Sequence, residues 1–312
     1  MSKLRDKVEI PLRAWILSTV VTRIAKPPQV EVTQRYVAEP HIVDVPTRHG
    51  PVRCFITRPA ADAPLATNTA HPPVHLNTHG GGFLVGAPRQ DDHIVRAIAG
   101  EVGAVVINID YSTAPKHRFP VAVEQCFDIL RWASRSGETM GWDGERLSIG
   151  GTSAGGNLAL GMLELARRAG GPHVRTAALI VPLVNFWAKA ADFAATPPKP
   201  FVDESLMRTV LKTYFTDESQ ADDPLASVDL GDTTGLPPLL IIGAERDSLR
   251  HQIERYVAAA KANGVDVTYR LIEGVDHDFS TSGSSVVRPQ QIETIDYICD
   301  HLLEHFGADG RP

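Results

Sequence analysis

The chain has 312 residues, with 31 lysines and arginines against 37 aspartates and glutamates, for a formal charge of −6. Apolar residues make up 43% and charged residues 22%, and glycine and proline are spread along the chain, which excludes disordered, fibrous and membrane-embedded classes. The mildly acidic balance gives no electrostatic footprint for nucleic acid or anionic lipid, so neither a nucleic-acid partner nor stable membrane association is expected.

A chain of this length sits where a single core stops growing, which predicts one large domain with a subdomain added. Cys54, Cys126 and Cys299 are too few and too far apart for a disulfide framework or a zinc knuckle. They read as buried thiols in a reducing compartment. Residues 14–21 are apolar and follow Lys3, Arg5, Lys7 and Arg13, as in a secretory leader. They also follow Asp6 and Glu9, run into Arg23 and Lys26, and show no small-residue cleavage site. An amphipathic helix and a cytoplasmic protein are the expectation.

In chain order, residues 1–40 read as helical, with a loop at Lys26-Pro27-Pro28. Alternating runs at 41–46 and 52–57 flank His49-Gly50 and predict a hairpin. Strands are then expected at 74–78, 104–109, 146–149, 177–181, 239–242 and 267–271. Helical patterns alternate with them near 92–102, 120–134, 154–169 and 250–263, and a last one covers 288–306. Strands separated by helices require crossover connections, hence an α/β fold with a mostly parallel sheet covered on both faces. About 55 residues lie between the strands near 180 and 240, far more than an ordinary connection needs. They carry Phe186, Trp187, Phe201, Leu206, Met207, Tyr214 and Phe215 and read as a lid or cap.

Gly151-Thr152-Ser153-Ala154-Gly155 falls directly between a predicted strand and a predicted helix. A serine on so sharp a turn needs neighbours without bulk, and the turn exposes its hydroxyl above the sheet edge. The following helix points its amino-terminal amides at the same place. No Lys-Ser/Thr pair follows these glycines and no G-x-G-x-x-G occurs, so no nucleotide cofactor is expected. His79-Gly80-Gly81-Gly82-Phe83 ends another predicted strand. Three consecutive glycines are entropically costly for a plain turn, but they let backbone amides face a developing oxyanion.

A serine nucleophile needs a base, and the base needs an orienting acid. In α/β-hydrolases the acid follows the serine and the histidine comes last. Asp247 and His277 follow the strands predicted at 239–242 and 267–271, at carboxyl ends where sites collect in open sheets. Asp247 also reads as an N-cap of the next helix, and Glu245 is a nearby alternative acid.

Together HGGGF at 79–83, DYSTAPKHRFP at 110–120, GTSAGG at 151–156, ERDSLR at 245–250 and DHDF at 276–279 resemble the bacterial hormone-sensitive-lipase-like branch of the α/β-hydrolases. The resemblance covers most of residues 74–280 and implies a serine carboxylesterase with a helical cap. It implies Ser153 as nucleophile, His277 as base, Asp247 as acid, and Gly81, Gly82 and Ala154 as oxyanion donors. Ser112, Thr113 and Lys116 stand where the family commonly has Arg, Leu and Glu, and Asp278 stands where Gly is frequent. Thr152, often Asp in the family, places the chain with a GTSAG subgroup. Asp92 matches a structural acid of the family, so Asp91-Asp92-His93 is not read as a metal site; no metal is expected.

The domain reading is residues 1–40 as the first part of the cap, 41–185 as the first part of the hydrolase core, 186–224 as the cap insertion and 225–312 as the rest of the core. Phe83, Phe186, Trp187, Met207, Tyr214 and Phe215 are expected to enclose an apolar pocket over Ser153. The expected partner is a small ester of short to medium chain; a homodimer is allowed. Acyl transfer by the same triad is the second reading, and a non-catalytic receptor, which needs no base, is the third.

Overall fold

Short runs rich in valine, isoleucine and leucine, bounded by turn residues, assemble into one eight-stranded sheet. The computed structural model describes residues 2–25, 32–67, 71–187, 200–279 and 289–307. Strands β1 (His41–Val45) and β2 (Val52–Thr57) form the expected hairpin. β2 also pairs antiparallel with β4 (Val105–Ile109), while β3 (Val74–Thr78) pairs parallel with β4. β5 (Leu147–Thr152), β6 (Thr176–Ile180), β7 (Leu239–Ala244) and β8 (Val267–Ile272) continue the parallel part. The order across the sheet is β1-β2-β4-β3-β5-β6-β7-β8.

Side chains alternate across a strand, so each central strand feeds two cores. Ile107, Ile149, Leu179 and Ile241 cluster with residues of α3 (Val121–Arg135), α4 (Ala154–Ala169) and α6 (Arg250–Ala262). Val106, Ala178, Ile180, Leu240 and Ile242 cluster instead with α2 (Asp92–Ala97, helical on to Val102) and α7 (Pro289–Gly307). This is the expected α/β sheet, covered on both faces.

β5 runs three residues past the predicted 149, through Gly150, Gly151 and Thr152. Glycine argues against a strand by propensity, but here contact requires it. A Cβ on Gly150 would sit 2.5 Å from the Ala178 carbonyl oxygen of the adjacent strand.

The amino-terminal helix α1 (Ser2–Trp15) continues as helix to Ile24 and packs on α5 (Glu204–Tyr214). Arg13 ties the two by pairing with Asp203 at 3.5 Å and donating to the Ser205 hydroxyl. The amphipathic expectation is met only in part: Leu17 packs inward, whereas Val8, Leu12, Ile16, Val20 and Ile24, four residues apart, stay exposed. The predicted loop at Lys26-Pro27-Pro28 lies outside the described residues. Among the described residues, no helix is long and apolar enough to cross a membrane.

Candidate active site

β3, β5, β7 and β8 are parallel, so the segments that follow them emerge on one edge of the sheet. That edge gathers the glycine loop, Ser153, Asp247 and His277.

Ser153 has φ 57° and ψ −114°, a backbone state that a side-chain-bearing residue rarely adopts. The surrounding bonds hold it there. Its amide donates to the Ile180 carbonyl at 2.8 Å, and its carbonyl accepts from the amides of Asn157 and Leu183 at 3.1 and 3.2 Å. The Asn157 side chain in turn donates to the carbonyls of Leu183 and Ala226. The flanking glycines permit the turn because β3 approaches so closely. A Cβ on Gly155 would lie 1.9 Å from the Thr78 carbonyl oxygen. Gly155→Ala should therefore destabilise the protein by about 3 kcal/mol or more, since backbone must move. Urea unfolding checks this; a variant of unchanged stability would mean that β3 and α4 are not packed this tightly.

His277 Nδ1 is 2.8 Å from Asp247 Oδ2, and its Nε2 is 2.8 Å from Ser153 Oγ. Both His277 and Asp247 are buried. Burial lowers the His277 pKa, but the charge and hydrogen bond of Asp247, with help from Asp276 and Asp278, raise it by more, so the net shift is upward. Asp247 Oδ1 also accepts from the Leu249 amide at 2.9 Å. Asp247 is therefore not the helix cap the sequence allowed: the helix starts at Arg250 with Leu249 at its N-cap position, and the Oδ1 bond closes a turn just ahead of it while Oδ2 faces His277. Glu245 instead accepts from the Gly274 amide at 2.8 Å and makes no contact with His277.

The glycine loop is fixed from behind. The Gly80 carbonyl accepts from His79 Nδ1 at 2.7 Å and from Gln90 Nε2 at 2.9 Å. In a trans peptide the N–H points opposite the C=O, so pinning this carbonyl aims the Gly81 amide the other way. The His79 ring stacks on Tyr111 at 4.2 Å, and the Tyr111 hydroxyl donates to the His79 carbonyl. Gly81 and Gly82 have φ of 117° and 59°, where glycine alone is unstrained.

A cavity of about 380 Å³ opens over Ser153, bordered by Gly80, Gly81, Gly82, Ala154 and His277. Its apolar wall comes from Leu17 and Val21 of the amino-terminal helix and from Phe201, Leu206, Met207 and Val210. The segment at 201–203 is tied to both catalytic loops. Ser248 Oγ donates to the Val202 carbonyl, the Phe201 amide donates to Asp276 Oδ2, and the Phe201 ring stacks over His277 at 6.0 Å.

Of the six residues expected to enclose the pocket, only Met207 lines it. Phe83, Phe186, Tyr214 and Phe215 form a buried aromatic cluster behind the wall, with Phe83 and Tyr214 stacked at 4.1 Å. Trp187 lies on the surface, its indole N–H bonded to Asp222. Large aromatic side chains contribute most by complete burial, and the four of the cluster reach it by packing on one another. Residues 188–199 of the insertion lie outside the described residues.

The departures from the family pattern have structural counterparts. At Ser112, where the family commonly has Arg, the Gln125 side chain accepts from the Ser112 amide and donates to its hydroxyl. Asp278 borders the cavity, while Asp92, which matches the family's structural acid, pairs with Arg89 at 2.7 Å. The sequence reading did not assign Leu17, Val21, Gln90, Asp91 or His93 to the cavity. The amphipathic-helix expectation covers the first two, Asp91 and His93 draw notice only as a metal motif that is set aside, and nothing local marks Gln90.

The sheet order, the serine at a strained strand–helix turn and the histidine and aspartate after β8 and β7 define an α/β-hydrolase. The chain belongs to the alpha/beta hydrolase fold family, which matches residues 75–281. It is similar to the carboxylesterase NlhH of Mycobacterium tuberculosis, 29% identical over 244 residues, 77% of this chain and 72% of that one. It is also similar to an ethyl acetate hydrolase of Pseudomonas putida, 29% identical over 265 residues, 82% of this chain and 81% of that one. Among solved structures, a hyperthermophilic esterase from the archaeon Pyrobaculum calidifontis is 28% identical, with a TM-score of 0.77, covering 96% of this chain and 94% of its own.

Proposed function

We propose that the protein is a serine carboxylesterase acting on short- to medium-chain esters through an acyl-enzyme. The observation that carries this is the unbroken chain Asp247–His277–Ser153, both links 2.8 Å, opening into the cavity. Ser153 Oγ attacks the ester carbonyl as His277 Nε2 takes its proton, and Asp247 supports the imidazolium. The amides of Gly81, Gly82 and Ala154 receive the oxyanion; one such donor is worth about 2.7–4 kcal/mol. His277 then returns the proton to the leaving alkoxide, and water repeats the cycle to release the acid. Residues 1–40 and 186–224 act as the cap. A cytoplasmic setting fits the three free, buried cysteines.

Activity should rise with acyl length by about 0.8 kcal/mol per buried CH₂ and drop sharply where the cavity ends, within roughly two to eight carbons. A chain-length series on soluble esters tests this. Preference for long chains, with activation at an oil–water interface, would make the insertion a lipase lid and overturn the reading.

The base works only unprotonated, so kcat/KM should fall as pH drops through the pKa of His277. The net upward shift puts that limb above the ordinary imidazole value of about 6.5. A pH profile with its limb below that value would contradict the Asp247 contact as the controlling charge.

A further inference from the structure

We infer that Asp91 forms an ammonium-binding subsite in this cavity, so the favoured esters carry a protonated amine on their acyl or alcohol portion. The inference rests on the esterase reading and narrows its substrate class.

Asp91 is 5% exposed and borders the same cavity as Ser153. It occupies the N-cap position of α2, where an aspartate normally accepts from the first turn, yet its side chain makes no capping bond. Its hydrogen bond to Asn77 Nδ2 is long, 3.4 Å, and among the described residues no lysine or arginine pairs with it. The adjacent Asp92, by contrast, has Arg89. A buried carboxyl with one long hydrogen bond, no capping bond and no described cation is poorly compensated for its charge.

Among the described residues, His277 is the one basic group of the cavity lining whose pKa is raised, and it is committed to Asp247. The described lining contains no lysine or arginine, and Asp278 adds a second carboxyl at the exposed rim. His93, beside Asp91, is kept neutral: burial lowers its pKa to about 4, opposed only by the nearby Gln90 backbone carbonyl. Thr152 contributes a buried hydroxyl with no hydrogen-bond partner, next to the nucleophile. Burial holds Asp91 up at about 7, opposed by the Asn77 bond and reinforced by the charge of Asp92. An ammonium would bring the opposite charge that stabilises the ionised form.

The test compares kcat/KM at neutral pH within two isosteric pairs. Dimethylaminopropyl acetate against isohexyl acetate places the amine on the alcohol side. Ethyl dimethylaminobutanoate against ethyl methylhexanoate places it on the acyl side. The amine should be favoured about tenfold, equivalent to about 1.4 kcal/mol, in at least one pair. Asp91→Asn, which keeps the shape, should bring that ratio to about one, whereas Asp278→Asn should leave most of it. Ratios near one in both wild-type pairs, with the neutral esters hydrolysed, overturn the subsite and leave the esterase reading standing. A preference abolished by Asp278→Asn but not by Asp91→Asn overturns the assignment to Asp91. An equal gain from a hydroxyl in place of the amine overturns the charge argument. If no ester is hydrolysed, the esterase reading fails by itself. Calorimetry of dimethylpropylamine on Ser153→Ala then decides the subsite: binding lost on adding Asp91→Asn supports it, and no binding overturns it.

Discussion

Ser153→Ala is expected to lower ester turnover by about four orders of magnitude or more while leaving thermal unfolding nearly unchanged. The substitution removes one oxygen. The amide and carbonyl bonds to Ile180, Asn157 and Leu183 that hold the strained turn belong to the backbone and survive it. The glycine loop and cavity also remain, so a small residual rate over water is expected from positioning and oxyanion contacts. Initial rates with a soluble aryl ester, together with a melting curve, check both halves. Retention of most of the activity would show that Ser153 is not the nucleophile.

Asp247→Asn should lower kcat by about 10⁴, and Glu245→Gln should change it little. The asparagine can still accept from the Leu249 amide, so the turn ahead of the helix is preserved. What it loses is the charge facing His277 Nδ1, and with it the tautomer that leaves Nε2 free to accept from Ser153. Glu245 is bound to the Gly274 amide on the far side of the same loop and does not reach the histidine. Measuring kcat for both variants separates the candidates. A collapse on Glu245→Gln alone would transfer the role, and equal mild losses would leave Asp247 without the orienting role.

The choice between these two carboxylates illustrates what pattern could and could not give. Residues 239–249 are compatible with either acid, because both follow the same strand within one turn. Only the position of His277, thirty residues on and on a different strand end, selects Asp247. The cavity wall is a sharper case. Phe83, Phe186, Tyr214 and Phe215 share the composition of a pocket, yet they pack on one another behind it. Composition says that such residues leave water; it does not say which of them face a space and which face each other.

The sequence by itself determined the alternation of strands and helices, the two glycine motifs, and the order serine, acid, histidine. These are local signals: a period of two or of 3.6, a turn that needs small residues, a strand end followed by a polar group. Tertiary structure alone decided that β5 runs through its glycines, because the approach of Ala178 and Thr78 sets the requirement there. It likewise decided that Leu17 and Val21, far from the motifs in the chain, share a cavity with Asp91 and Ser153. Those contacts join residues tens to hundreds of positions apart, and they exist only once the sheet has fixed which ends lie on one edge. No neighbouring residue constrains them, so no reading confined to neighbours could supply them.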